Sequence, residues 1–129
     1  MKMGNILNIL RNVAMKGVIA YGMCLVIISG EIDLSVGSQV ALSGVVAAYI
    51  SKWLAEAGIM PVEIGVLAGI VVAILVALLT GLFHAWARQK FNMPSFIITL
   101  ATLNILYGLA AIICGGFPIA NAFPTWYAF

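Results

Sequence analysis

From Phe91 to Phe129 the chain carries no Asp, Glu, Lys or Arg, and between Val62 and Ala87 its only ionisable side chains are Glu63 and His84. Such stretches have little from which to build a hydrated surface, so the solvent they are made for is the bilayer interior. The whole chain agrees, with 64% hydrophobic and 8% charged residues against roughly a quarter charged in an ordinary soluble domain. A water-soluble fold is excluded on this ground, and an all-α integral membrane protein is expected.

Net charge is +2, and the basic residues Lys2, Arg11, Lys16, Lys52, Arg88 and Lys90 fall at the ends of apolar runs without forming a patch. Nucleic acid has no footprint on such a chain, and the lipid bilayer is the surrounding to expect. Cys24 and Cys114 lie inside apolar segments. A thiol there acts as a small hydrophobe, so both are assigned to packing, and no spacing suggests a metal, a disulfide or a cofactor. Lys2, Arg11 and Lys16 ahead of an apolar run mimic a secretion signal, but no small-x-small cleavage site appears and further apolar segments follow. A retained membrane segment is the expectation.

A crossing helix needs about 20 apolar residues. That rule, with the turn signals, gives one transmembrane domain over 1–129 with spans near 13–30, 34–55, 62–87 and 95–114. The first two are separated by Gly30-Glu31-Ile32-Asp33, which makes a multi-span bundle with a broken helix near 30–38. Two carboxylates within an apolar stretch cost several kcal/mol each if left in lipid. Irregular backbone at that depth is tolerated only where protein buries it or where it lines a watery cavity. Gly30, Glu31, Asp33, Ser35, Gly37 and Ser38 are therefore candidates for lining a polar path through the bundle.

Asp33 or Ser35 can cap a helix beginning near Val36, Met60-Pro61 marks a turn, and Pro94 suits the first turn of the last span. Gly115-Gly116-Phe117-Pro118 ends that span, and Phe123, Pro124, Trp126, Tyr127 and Phe129 form a tail of the interfacial aromatic type. Orientation is contested: the excess of basic residues draws both Arg11/Lys16 and Arg88/Lys90 to the cytoplasm, while three passes between them would separate the two groups.

Gly65, Gly69, Ala73, Ala77, Gly81 and Ala85 recur at every fourth residue. Small residues so placed let two helices approach closely, and a helix-packing stripe is preferred to chance enrichment in an Ala/Gly-rich segment. Asn104 and Tyr107, one turn apart and preceded by Thr99 and Thr102, can offer amide and hydroxyl groups to a polar solute or hydrogen-bond a neighbouring helix. His84, beside Trp86 and Arg88, reads as interfacial and not as a proton relay, because no carboxylate or second His lies near it in sequence. Leu34-Ser35-Val36-Gly37-Ser38-Gln39 has a superficial likeness to the signature of ABC ATPases. No Gly-x-x-x-x-Gly-Lys-Ser/Thr loop exists to hold a nucleotide, so this is not the hydrolysing subunit and no enzymatic activity is expected.

The run from Gly22 through Ile28-Ser29-Gly30-Glu31-Ile32-Asp33-Leu34-Ser35-Val36-Gly37 to Ser38 resembles the hallmark of the permease subunits of carbohydrate ABC importers, the ribose, xylose, galactose, rhamnose and autoinducer-2 group. Asn8-Ile9-Leu10, Pro94-Ser95-Phe96-Ile97-Ile98-Thr99-Leu100-Ala101-Thr102, Gly108-Leu109-Ala110 and Gly115-Gly116-Phe117-Pro118-Ile119 extend the likeness from about Asn5 to about Ala120. The commonest hallmark has Gly where this chain has Glu31, a departure that resembles some rhamnose-type or autoinducer-type members and leaves the sugar open.

The resemblance implies part of a larger permease fold, from the front half of a subunit in a bacterial inner membrane. It implies alternating-access transport of a monosaccharide or similar polyol-like solute, with a second permease subunit, cytoplasmic ABC ATPase subunits and a periplasmic sugar-binding protein as partners. Members of the group carry another span before the region matching Asn8, which would place Arg11 and Lys16 outside and Arg88/Lys90 in the cytoplasm. Two other readings stand beside it: a small oligomeric, holin-like channel, or a truncated permease fragment without function.

Overall fold

A computed structural model describes residues 3–59 and 61–119. The described residues are all-helical: α1 (Met3–Ile28), α2 (Val36–Glu56), α3 (Val62–Phe91) and α4 (Ser95–Cys114). The expected aromatic tail from Phe123 to Phe129, and Met60 of the expected turn, lie outside the described residues. Gly4–Ile28, Val62–Phe91 and Ser95–Cys114 are long and apolar enough to cross a membrane. The chain divides into two compact units, one up to Asp33 and one from Leu34 onwards.

The first unit is α1 and the segment that leaves it. The helix starts well before the expected residue 13. Asn5, Asn8, Arg11, Asn12 and Lys16 make this stretch polar, but polarity does not stop a helix and no proline interrupts it. Asn12 Nδ2 donates back to the Asn8 carbonyl at 3.0 Å within the helix. Cys24 is exposed and does not serve as core packing within this unit. The end is built on Gly30, whose φ of 75° only glycine adopts without strain. There the Glu31 N–H reaches the Val26 carbonyl (3.1 Å) and the Gly30 N–H the Ile27 carbonyl (2.9 Å). This is a Schellman closure, which satisfies carbonyls that lipid could not.

In the second unit, α2 runs antiparallel to α3 and packs against both α3 and α4, which touch each other less. The central helix buries Ser38 and Ser51 and α4 buries Thr99 and Thr102, while α3 and α4 turn large apolar side chains such as Leu75, Leu78, Leu82 and Ile105 outward. Leu42, Leu106 and Ala110 form the core, with Val45, Val46 and Val76 against it.

The close approach of α2 and α3 rests on two glycines. A Cβ at Gly65 would lie 3.2 Å from the Ser51 carbonyl oxygen, and one at Gly69 only 2.5 Å from that of Ala47. Ser51, fully buried, directs its hydroxyl to the Ala47 carbonyl (2.6 Å) and across to that of Gly65 (3.2 Å). Ala73 is also buried and Ala77 partly so, but Gly81 and Ala85 are exposed and nothing lies within 4 Å of a Cβ built at Gly81. A four-residue step overshoots the helical turn by about 40° each time, so the stripe has rotated off the α2 face by its end.

Helix starts differ in detail from the sequence reading. Pro94 precedes the first turn of α4 as its N-cap, with φ −58° and ψ 139°, and Pro61 does the same for α3. Ser35 is the N-cap of α2 but makes no side-chain capping bond. Its φ of −82° and ψ of −7° are helical, whereas a capping hydroxyl needs extended backbone to turn back on the free N–H groups. At the far end of α3, Lys90 Nζ lies 5.3 Å from the Trp86 ring centroid, and Trp86 meets Phe83 and Phe91 at 6.0 and 5.8 Å. Such a cation–aromatic cluster suits a membrane–water boundary.

Candidate functional site

The start of α2 lies deep in the helical layer. Ser51 stands opposite Gly65 and Ala47 opposite Gly69, a register that sets Val36 level with about Thr80 at equal helical rise. From there α3 continues about 16 Å further, to Phe91. The backbone that enters α2 therefore does so well inside the length that α3 spans.

Here the second unit concentrates its buried polar groups. The Leu34 N–H donates to Thr99 Oγ1 at 3.2 Å, tying the entry into α2 to the first turns of α4. Ser38 Oγ donates to the Ser35 carbonyl at 2.8 Å, and the Gln39 N–H reaches the same oxygen at 2.8 Å, so the first turn of α2 closes on its own cap residue. Ser35, Ser38, Thr99 and Thr102 are all at most 5% exposed. Thr99 Oγ1 lies 3.3 Å from the Phe96 carbonyl and Thr102 Oγ1 3.0 Å from that of Ile98.

His84 completes the seam from α3, with Nε2 at 2.8 Å from Thr102 Oγ1. When the threonine proton goes to the Ile98 carbonyl, its oxygen is left to accept and His84 Nε2 carries the hydrogen. His84 is thus half-buried and bonded across to α4. This partner lies on another helix and is invisible to local spacing.

The sequence candidates separate into three groups. Gly30, Glu31 and Asp33 form the turn and non-helical segment after α1. Ser35 and Ser38 are buried at the start of α2, and Gly37 between them is exposed. Asn104 and Tyr107 are exposed on α4, away from the face of Thr99, Thr102, Leu106 and Ala110. The Asn104 amide donates to the Leu100 carbonyl of its own helix at 3.1 Å. The two threonines therefore do not join Asn104 and Tyr107 on one polar face. Sequence reasoning missed Gln39, whose Nε2 lies 3.2 Å from Ser43 Oγ and whose Oε1 is buried with no hydrogen-bond partner among the described residues. A Gln-x-x-x-Ser pair within an apolar helix was the available signal.

Among the described residues no group of His, Cys, Asp and Glu could hold a metal. Residues 5–126 match the family described as branched-chain amino acid transport system / permease component. The chain is 40% identical over 112 residues to the xylose transport system permease protein XylH of Escherichia coli (strain K12), covering 87% of this chain and 26% of that protein. It is 36% identical over 119 residues to the ribose import permease protein RbsC of Haemophilus influenzae, covering 92% and 34%, and 39% identical over 117 residues to that of Bacillus subtilis, covering 91% and 34%. It thus spans between a quarter and about a third of these relatives' length. No solved structure matches it.

Proposed function

The chain belongs to the family of branched-chain amino acid transport system / permease components, and from that premise we propose that it forms part of the translocation pathway of an ABC importer in a bacterial inner membrane. The solute is a monosaccharide, pentoses first, because the xylose and ribose permeases it matches are 32–40% identical over most of this chain. The observation that carries the reading is the broken entry into α2, set deep in the helical layer and fastened to α4 by the Leu34–Thr99 bond. Acidic residues at such a break have a use if they meet a hydrated solute, since carboxylates are strong acceptors for sugar hydroxyls.

In this reading Glu31 and Asp33 after the Gly30 turn face the path, and Gly37 is a further candidate for it. Within the second unit Ser35 and Ser38 hold the start of α2, as do Thr99, Thr102 and His84. Asn104 and Tyr107, exposed on α4, meet another helix or the path once the subunit is assembled. Nucleotide hydrolysis belongs to separate ATPase subunits, solute delivery to a periplasmic binding protein, and a second permease subunit completes the pathway.

ATP-driven uptake by the intact transporter in proteoliposomes, supplied with its binding protein, tests this. Labelled xylose or ribose should accumulate and labelled leucine should not. Leucine uptake without pentose uptake would transfer the assignment to the amino acids in the family's description.

A further inference from the structure

At the end of the second unit remote from the break, α2 and α4 border a cavity of about 450 Å³, lined by Tyr49, Lys52, Trp53, Glu56, Ile113, Cys114, Pro118 and Ile119. Its volume lies within the roughly 300–1,000 Å³ of small-molecule sites. Tyr49, Lys52, Trp53 and Glu56 are spaced at three and four residues, so all four share one face of α2. Tyr49 and Trp53 are half exposed, and Lys52 Nζ stands 3.8 Å from Glu56 Oε1.

That combination is selective. Two aromatic side chains one turn apart offer apolar surface to the C–H side of a pyranose or furanose ring. The neighbouring ammonium and carboxylate offer three donors and several acceptor positions to its hydroxyls. Ile113 and Ile119 supply the apolar wall opposite. A branched-chain amino acid would use the ion pair but has no ring face for the aromatics.

We propose that this cavity is an outer subsite for a neutral monosaccharide, occupied before the solute reaches the break. The proposal rests on the sugar-import reading, and the cavity's place agrees with it. The cavity lies at the C-terminal ends of α2 and α4, opposite the Arg88/Lys90 end of α3, which the topology implied by the sugar-permease reading puts in the cytoplasm. Val36 and Glu56 are separated by about 30 Å of helix, so the subsite and the break are distinct stations.

Cys114 is a built-in reporter, since it lines the cavity and is not fully buried. Alkylation of the Cys114 peptide is followed by mass spectrometry in the intact transporter in nanodiscs, without binding protein, with and without saturating xylose or ribose. The pentose should slow alkylation, and leucine and glycerol should not. Trp53→Ala should weaken the half-protecting concentration about two- to tenfold, the range for loss of one aromatic contact, while Trp53→Phe should largely restore it. Glu56→Gln should weaken it without changing the unprotected rate. Absence of protection at saturating sugar would overturn the subsite. So would equal protection in Trp53→Ala, or a Trp53→Ala variant that only lowers membrane abundance, which would make the aromatics interfacial anchors. Pentose uptake by the same purified transporter, reconstituted into proteoliposomes with its binding protein and ATP, separates the two claims: uptake without Cys114 protection rejects the subsite alone, and absence of uptake rejects the transport reading.

Discussion

Replacing Gly69 by alanine tests the packing that places the start of α2 at depth. The added Cβ would lie 2.5 Å from the Ala47 carbonyl oxygen and 2.6 Å from Ser51 Oγ. The first is backbone and cannot rotate away. Reaching ordinary contact at 3.4 Å asks the helices to part by roughly 0.9 Å. The 3.2 Å Ser51–Gly65 bond then moves beyond hydrogen-bond range. Overpacking costs about 1–3 kcal/mol and a lost interhelical bond about 0.6 kcal/mol, while alanine's better helix propensity returns up to about 1 kcal/mol. The net expectation is a loss of about 2 kcal/mol, read from reversible unfolding of the intact transporter in mixed detergent–SDS micelles. Gly65→Ala, with a single tight contact at 3.2 Å, should cost less. Gly81→Ala, in open space, should be neutral or stabilising by up to about 1 kcal/mol. Equal stability of the Gly69 and Gly81 variants would refute the α2–α3 register, and with it the depth assigned to the break.

A double-mutant cycle on His84→Ala and Thr102→Val should give a coupling of about 0.6–2 kcal/mol, the range for interhelical hydrogen bonds in membranes, and additive effects would exclude the bridge. Thr99→Val removes the acceptor of the Leu34 N–H and should leave that amide poorly protected, at a cost of about 1–3 kcal/mol, visible as faster hydrogen exchange at Leu34 and unchanged exchange in mid-α3. A cysteine at Gln89, with Cys24 and Cys114 replaced by Ala, should resist a membrane-impermeant thiol reagent in intact cells, and labelling from outside would invert the orientation. A cysteine at Asn5, near the start of α1, should be labelled by the same reagent.

Several features were legible in the sequence for physical reasons. The uncharged run beyond Phe91 requires membrane helices, and Pro61 and Pro94, each followed by apolar residues, mark the starts at Val62 and Ser95. Gly30 was readable as a break because two carboxylates follow it in apolar surroundings. The length of α1 was hidden, since its polar early residues argue against burial but not against helix. The small-residue stripe was half legible: contact at Gly65 and Gly69 follows from the spacing, but the drift that leaves Gly81 outside depends on where α2 begins and ends. The seam of Leu34, Thr99, Thr102 and His84 was beyond reach, because Thr99 stands 65 residues from Leu34 and Thr102 18 from His84. Its helical phase also sends Asn104 and Tyr107 to another face.

Whether the break carries solute is tested most directly at Asp33. Asp33→Asn keeps a side-chain oxygen and close to the same volume but removes the charge, so a residue that only shapes the helix start tolerates it. Uptake of labelled pentose by the reconstituted transporter, normalised to assembled complex, should fall about tenfold or more, the loss expected for a charge-assisted hydrogen bond worth roughly 1.5–3 kcal/mol. Uptake near the wild-type rate for Asp33→Asn, with Asp33→Ala lowering only the amount of protein in the membrane, would contradict the account and leave the broken segment a structural turn.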